Sequence, residues 1–265
     1  VVRSLATLAC CGGRRARYGE EQLLAALRIV ERGDRTAADM VGSWAGAMGQ
    51  TQFIPTTFDA FAVDFDRDGR RDLWTNAADA LASTANYLAR SGWQAGEPWG
   101  EEATVPRRFD FAAAADVHQT SEAWRFLGVR PVLGRSRLQS PRTALLMPVG
   151  ARGPAFLVTT NFRAILRYNN AVSYALAVGH LADRLAAGPP LSGIWPRDER
   201  PLLGPEREEL QRLLSRNGYL AGAIDGIVGP ATKAAVRAYQ QGLGVPADGY
   251  PTVELLERLR GAWRS

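Results

Sequence analysis

The sequence holds one lysine, Lys233, among 32 cationic residues, and only two cysteines and two histidines in 265 positions. The net charge of +5 is therefore carried almost wholly by arginine, and the arginines are scattered rather than clustered. With no nucleic-acid motif beside them, nucleic acid is not expected as a partner; mild basicity suits an anionic surface or polymer. Cys10 and Cys11 are adjacent, a spacing that excludes a disulfide framework and a zinc site. They are expected to be two small buried residues at a helix end. His118 and His180 have no partner pattern around them and are read as a surface residue and a packed helix residue. No apolar run reaches the ~20 residues of a membrane span. No secretory leader is visible and the chain starts Val-Val-Arg, so a mature product or a fragment is expected.

What the chain does have is a nearly uncharged stretch, Gly42-Ser-Trp-Ala-Gly-Ala-Met-Gly-Gln-Thr-Gln-Phe-Ile-Pro55. Its small residues let another group approach the backbone closely, and Ser43, Gln50 and Gln52 offer neutral donors and acceptors at that bare surface. Pro55 closes the segment by pushing Ile54 out of the helical region. Two readings stay open from composition alone: a tight packing turn, or a wall that recognises a polar, uncharged ligand.

A second motif follows. Asp64-Phe-Asp-Arg-Asp-Gly-Arg-Arg-Asp72 places oxygen ligands at loop positions 1, 3, 5 and 9 and a glycine at 6, the EF-hand order for a calcium ion. Arg70 stands at the position that offers a backbone carbonyl. Position 12 is Thr75 rather than glutamate, and Asp79 is the candidate for the missing ligand. The expectation is a structural Ca2+ and no organic cofactor, the alternative being a solvated Asp/Gly turn.

Helical periodicity runs from Leu5 to Arg32 with a break at Gly12 to Arg15, and its apolar stripe is Leu23, Leu24, Leu27 and Val30. A helix from Ala77 to Ser91 carries Leu81, Ala85, Tyr87 and Leu88, and Gly92 ends it. Prolines and short β-like runs at 144–149 and 155–159 mark a β-containing subdomain over 94–160, with a helix near Ser121 to Leu127. Helix returns from Asn161 to Ala187, with Val172, Leu176, Leu181 and Leu185 along one face. Residues 189–201 read as a linker. Residues 202–265 read as three short helices: Leu210, Leu213 and Leu214 face inward on the first, Gly229-Pro230 opens the second, and Thr252 caps the third. Asp225-Gly226 and Asp248-Gly249 mark the turns between them.

In this company the 42–55 stretch, with Val63 to Gly69, Leu73-Trp74, Asn86-Tyr87, Gly92-Trp93, Asn161-Phe162 and Arg167-Tyr-Asn169, resembles the MltB type of bacterial lytic transglycosylases over roughly the first 190 residues. The C-terminal part, through Leu210-Gln211, Gly218-Tyr219, Asp225-Gly226, Gly229 to Thr232 and Tyr239-Gln240, resembles the peptidoglycan-binding domain 1 family. The resemblance implies a mainly α fold: a lysozyme-like transglycosylase core (1–188) with a small β-containing subdomain, then a three-helix peptidoglycan-binding bundle (202–265).

The activity implied is non-hydrolytic cleavage of the β-1,4 bond between N-acetylmuramic acid and N-acetylglucosamine, leaving a 1,6-anhydromuramic end. One carboxylic acid protonates the leaving oxygen and then, as carboxylate, takes the proton of the sugar's own C6 hydroxyl. Carried over by motif, Ser43 orients the acid or the acetamido group and Gln52 bonds the sugar. Tyr18, Tyr87, Tyr168, Asn169 and Tyr174 line the cleft, and Asp64, Asp66, Asp68, Asp72 and Asp79 belong to the calcium loop. The partners implied are peptidoglycan glycan strands, in the periplasm or cell envelope. The family's catalytic glutamate, in a Glu-(Ser/Thr)-x-aromatic-Gly motif, belongs ahead of the segment matching Leu5 to Ala9, so no catalytic acid is expected within these residues. Glu20, Glu21, Glu31 and Asp59 lack the motif. A binding protein without catalysis and a lysozyme-type hydrolase stay open as alternatives.

Overall fold

Helices α1 (Val2–Cys11) and α2 (Ala16–Glu31) cross at a glycine. A Cβ built on Gly19 would lie 2.4 Å from the Ala9 nitrogen and 2.8 Å from the Leu8 Cβ, so the two backbones touch where a side chain would stand. The computed structural model describes residues 1–11, 13–220 and 222–262; Gly12, within the expected helix break, lies outside them. The chain divides into two units, Val1–Trp93 and Gln94–Ser265.

In the first unit the face that α2 buries is Gly19, Gln22, Ala25, Ala26 and Ile29. The expected leucine stripe is overturned: Leu24 and Leu27 are 52% and 46% exposed. Close helix crossing selects small residues because the distance between backbones, not side-chain volume, limits the contact. Cys10 and Cys11 are likewise exposed rather than buried, since they lie at the end of α1 beyond the residues that meet Gly19. Gly19→Val is expected to lose about 2–3 kcal/mol through overpacking, read as a fall in melting temperature; an unchanged value would mean that α1 does not cross here.

Pro55 is the first residue of α3 (Pro55–Phe61), after an extended Ile54. Asn76 caps α4 (Ala77–Arg90), its side chain accepting from the Ala78 and Asp79 N–H groups. That helix buries Asp79, Ala80 and Ser83, whereas Leu81, expected inward, is 72% exposed and Ala85 is exposed too. Met48, Phe53, Phe58 and Leu73 fill the core beside it.

The second unit opens with a five-stranded antiparallel sheet in the order β2-β4-β5-β1-β3. Its strands are β1 (Gly100–Thr104), β2 (His118–Gln119), β3 (Arg130–Pro131), β4 (Thr143–Leu146) and β5 (Ala155–Val158), with α5 (Ser121–Phe126) between β2 and β3. β4 and β5 coincide with the two apolar runs. β1 carries two adjacent glutamates and gives no apolar signal. Glu101 is buried and accepts from the Ser136 hydroxyl at 2.6 Å and the Arg137 N–H at 2.9 Å. Glu102 accepts from the Ser192 and Gly193 N–H groups at 2.9 and 2.5 Å, which pins the Gly- and Pro-rich stretch at 188–201. His118 is half-buried on β2 rather than at the surface, its Nε2 facing the Arg163 guanidinium.

Thr159 caps α6 (Thr160–Tyr168), and α7 (Val172–Leu185) follows. α7 buries Ala175, Leu176 and Gly179, against whose backbone the Trp99 indole lies. Of its expected stripe only Leu176 is buried; Leu181 and Leu185 are 59% and 82% exposed.

Helices α8 (Gly204–Arg216), α9 (Pro230–Gly242) and α10 (Val253–Ala262) enclose the leucines expected there: Leu210, Leu213, Leu214, Leu255, Leu256 and Leu259. The module is also internally repeated, in a way the separate motifs did not disclose. Gln211 donates to Asp225 Oδ1 at 2.9 Å and accepts from the Gly226 N–H at 2.8 Å. Gln240 donates to Asp248 Oδ1 at 2.8 Å and accepts from the Gly249 N–H at 2.8 Å. A buried helix amide thus braces an Asp-Gly turn twice, satisfying a donor and an acceptor each time.

Candidate functional site

Residues 42–54 are neither helix nor free loop. Ser43 N–H donates to the Ala47 carbonyl at 2.8 Å, and Ala47 N–H returns a bond to Ser43 Oγ at 3.0 Å. Met48 pairs by antiparallel bridges with Gly42 and with Phe53, which folds the segment into two successive tight turns. A Cβ on Gly42 would come within 2.2 Å of the Ala47 oxygen, and one on Gly49 within 2.5 Å of the Leu73 oxygen. Glycine there is a requirement of close backbone approach. Met48, Thr51 and Phe53 are buried, while Gln50 and Gln52 are left exposed and Ser43 half-exposed.

Gln52 is exposed and sits at φ +53°, a left-handed conformation uncommon for a residue with a side chain. Its Nε2 donates to the Gly49 carbonyl at 2.9 Å, and that bond sets the direction of its amide. Backbone strain of this kind concentrates at sites of recognition. Tyr18 reaches over from α2 and donates its hydroxyl to the Ala45 carbonyl at 2.8 Å; burial raises its pKa above that of an ordinary phenol, against the opposing charge of Arg15. Tyr87, on α4, packs on Phe53 and Phe61 with ring centroids 5.7 and 4.7 Å apart. Tyr18, Ser43, Gln52 and Tyr87 are therefore gathered around one loop of the first unit. Residues that sequence reasoning passed over belong to it too. Trp44 is exposed with the Arg15 guanidinium 5.2 Å above its ring, and buried Gln22 accepts from both the Thr56 N–H and hydroxyl at 3.1 Å.

In the second unit, Tyr168 ends α6 and Tyr174 lies in the first turn of α7. Their rings stack 9° from parallel with centroids 6.4 Å apart, and exposed Asn169 lies in the connection between the helices.

The carboxyl groups tell a consistent story. Glu20, Glu21 and Glu31 are exposed, and Asp59 is bridged to Arg28 at 3.3 Å and to Arg32. Burial alone would raise the Asp34 carboxyl, but hydrogen bonds and charge from Arg71, then Arg32, outweigh it and hold it below the usual carboxylate range. Among the described residues each resolved carboxyl shift runs downward: Asp34, Asp72, Asp198, Glu206 (to about 2), Glu209 and Asp225. A general acid needs the opposite shift.

The acidic loop draws Asp64, Asp66 and Asp79 together, each offering an oxygen within 4.8 Å of the others. Asp79 is fully buried; Oδ1 accepts from the Phe65 N–H and Oδ2 from the Asp72 N–H, both at 2.8 Å. No cation pairs with it among the described residues. Asp68 Oδ1 accepts from the Arg70 N–H at 2.8 Å, and the Arg70 side chain is exposed. Asp72 turns toward the 73–75 turn, accepting from the Trp74 and Thr75 N–H groups and from the Thr75 hydroxyl. Hard oxygen donors around a buried carboxylate without a counter-charge fit a divalent cation.

Two family models match. A transglycosylase SLT domain covers residues 1–183, and a putative peptidoglycan binding domain covers residues 204–259. The chain is 32% identical over 193 residues to membrane-bound lytic murein transglycosylase B of Escherichia coli (strain K12), a match covering 70% of this chain and 51% of that protein. The chain thus spans about half the length of this curated relative. SltB3 from Pseudomonas aeruginosa, solved in complex with NAG-anhNAM-pentapeptide, superposes with a TM-score of 0.93 at 54% identity, over 98% of this chain and 70% of that one. The lytic transglycosylase Slt35 of Escherichia coli, solved in complex with calcium, gives a TM-score of 0.58 at 30% identity, over 69% and 58% of the two chains.

Proposed function

The chain belongs to the transglycosylase SLT family and carries a peptidoglycan-binding domain, and from that premise we propose that its parent protein is a lytic transglycosylase of the bacterial cell envelope. Its substrate is the β-1,4 MurNAc-GlcNAc bond, and its product carries a 1,6-anhydromuramic end. The observation that carries the reading is the glycine-bared loop at 42–53, which presents Ser43 and a conformationally fixed Gln52 beside Tyr18 and Tyr87. Neutral amides and hydroxyls bond sugar rims, and tyrosine rings pack on sugar faces. Tyr168, Asn169 and Tyr174, in the second unit, are assigned to glycan binding by the family resemblance, and relatives solved with NAG-NAM-pentapeptide and its anhydro form support peptide-bearing glycan as the substrate class.

The domains are assigned as 1–188 for the transglycosylase and 202–265 for the wall-binding module, with 189–201 between them. The acid is assigned to residues outside these 265, since Glu20, Glu21 and Glu31 are exposed and Asp34 and Asp59 are held in ion pairs. Asp64, Asp66 and Asp79 would hold a calcium ion that supplies counter-charge to the loop and takes no part in the chemistry; the calcium-bound relative supports this. The parent protein is expected to digest purified peptidoglycan into fragments lighter by one water than hydrolysis would give, as read by mass spectrometry. Reducing ends alone would establish a hydrolase instead.

A further inference from the structure

Cys10 and Cys11, the chain's only thiols, are the last two residues of α1, and both are exposed. Free cysteine is among the most often buried residue types, so two adjacent exposed ones call for an account. Packing does not supply it. The residue that α1 buries is Leu5, and its crossing onto α2 is made by Leu8 and Ala9. The two thiols do interact with each other: hydrogen bonding and charge from Cys10 push the Cys11 thiol above its ordinary pKa. Each sulfur is therefore within reach of a group that the other holds.

A direct bond between them fits this helix poorly. A disulfide needs Cβ atoms about 3.5–4.5 Å apart, while successive helical side chains diverge by about 100° and do not face each other. Closing the S–S ring would unwind the last turn of α1. An ion between the sulfurs is less demanding, because two bonds of about 2.3 Å let the sulfurs stand up to about 4.6 Å apart. Zinc is not served, since it takes four ligands. Among the described residues the cluster of three or more His, Cys, Asp or Glu side chains able to hold a metal is Asp64, Asp66 and Asp79, and neither cysteine belongs to it. That leaves soft ions content with two thiolates. The charge around the pair favours thiolates. From Val1 to Gly19 the sequence holds four arginines and no acidic residue, and Arg14, Arg15 and Arg17 are exposed within six residues of Cys11. That charge offsets the negative end of the helix dipole, where a thiolate is otherwise disfavoured.

We propose that Cys10 and Cys11 form a two-thiolate site for a soft, low-coordinate ion, copper(I) or trivalent arsenic. Each thiol loses its proton and forms one sulfur–ion bond. With an organoarsenic(III) oxide, the arsenic–oxygen double bond gives way to two arsenic–sulfur bonds, and the oxygen leaves with both protons as water. With copper(I), both protons pass to solvent. Neither ion changes oxidation state, so no oxidant or reductant is needed. The site is independent of the glycan reading: it uses none of Ser43, Gln52 or the tyrosines, and no residue of the acidic loop, whose hard oxygen donors suit a different class of ion.

The test titrates the reduced 265-residue chain, in the absence of air, with phenylarsine oxide and with copper(I) held by bicinchoninate. A single equivalent is expected to bind, read by native mass spectrometry for the arsenical and by loss of the coloured bicinchoninate complex for copper. Cys10→Ser and Cys11→Ser should each weaken binding at least about 10²-fold, because only one of two linked bonds remains. Without ion, both variants should melt with the unsubstituted chain, since neither thiol packs. Binding of one ion and not the other supports the site and names its source. Two equivalents of arsenical per chain would mean that the thiols act separately, and that overturns the proposal. Full binding by either variant, or no binding of either ion, overturns it as well.

Discussion

Residues 1–265 incubated with purified peptidoglycan are expected to bind it yet release anhydro-ended fragments at least about 10²-fold more slowly than a chain extended upstream to carry the family's glutamate motif. The reaction asks one group to be protonated when substrate arrives and ionised a step later, so its pKa has to lie near neutrality, well above an ordinary carboxyl. Such a shift comes from an apolar pocket that penalises the anion. The candidates by position are placed otherwise: Asp34, despite its burial, is held below the usual carboxylate range by Arg71 and Arg32, Asp59 is paired with Arg28 and Arg32, and Glu20, Glu21 and Glu31 are exposed. Fragments separated by mass would score the two chains directly. Release at matched rates would place the acid within these residues, and Glu20→Gln, Glu21→Gln, Glu31→Gln and Asp59→Asn would identify it. Binding without release in the extended chain as well would favour a protein that holds wall polymer and does not cut it.

The parts of this fold that were legible in sequence are those where volume fills a core. In the wall-binding module three short helices enclose one apolar centre, so the leucines at helical spacing are the residues that go inside. The transglycosylase helices are different. On α2, α4 and α7 the buried stripe is made largely of small residues (Gly19, Ala25 and Ala26, Ala80 and Ser83, Ala175 and Gly179), with Ile29 and Leu176 as its large apolar members, while Leu24, Leu27, Leu81, Leu181 and Leu185 face outward. Hydrophobic periodicity weights a residue by its transfer energy, and backbone-to-backbone packing is limited by bulk, so the two criteria choose opposite faces. Strand β1 was hidden for a related reason. Its glutamates are held by bonds to Ser136, Arg137, Ser192 and Gly193, distant partners that no local pattern contains. The candidate site was legible as residue types in order, through the family resemblance, but its geometry was not. The left-handed Gln52 and the crossing of Tyr18 to Ala45 depend on where α2 lies beneath the loop.

Replacing Asp79 with alanine is expected to lower stability by about 3 kcal/mol and to abolish any rise in melting temperature on adding calcium. Asp79 has two separable duties. Its two oxygens hold the N–H groups of Phe65 and Asp72, which lie at opposite ends of the acidic loop, and so close that loop onto α4. Removing the carboxylate takes the partner from both donors, and a hydrogen bond to a charged group is worth roughly 1.5–3 kcal/mol. The second duty follows from its burial. A fully buried carboxylate with no cationic side chain against it is unfavourable unless another charge answers it. Asp64 and Asp66 gather beside it, adding to the negative charge, and only a cation relieves all three. Asp79→Asn separates the duties, because the amide oxygen can still accept one of the two N–H bonds while the charge is gone. It should fold with a smaller loss than alanine and show no calcium response, whereas Asp68→Asn, outside the group of three, should keep most of that response. Calorimetric melting with calcium and with chelator reads both effects. A wild-type chain whose melting is indifferent to calcium would reduce the loop to a hydrogen-bonded turn, with Asp79 as its clasp and no ion in it.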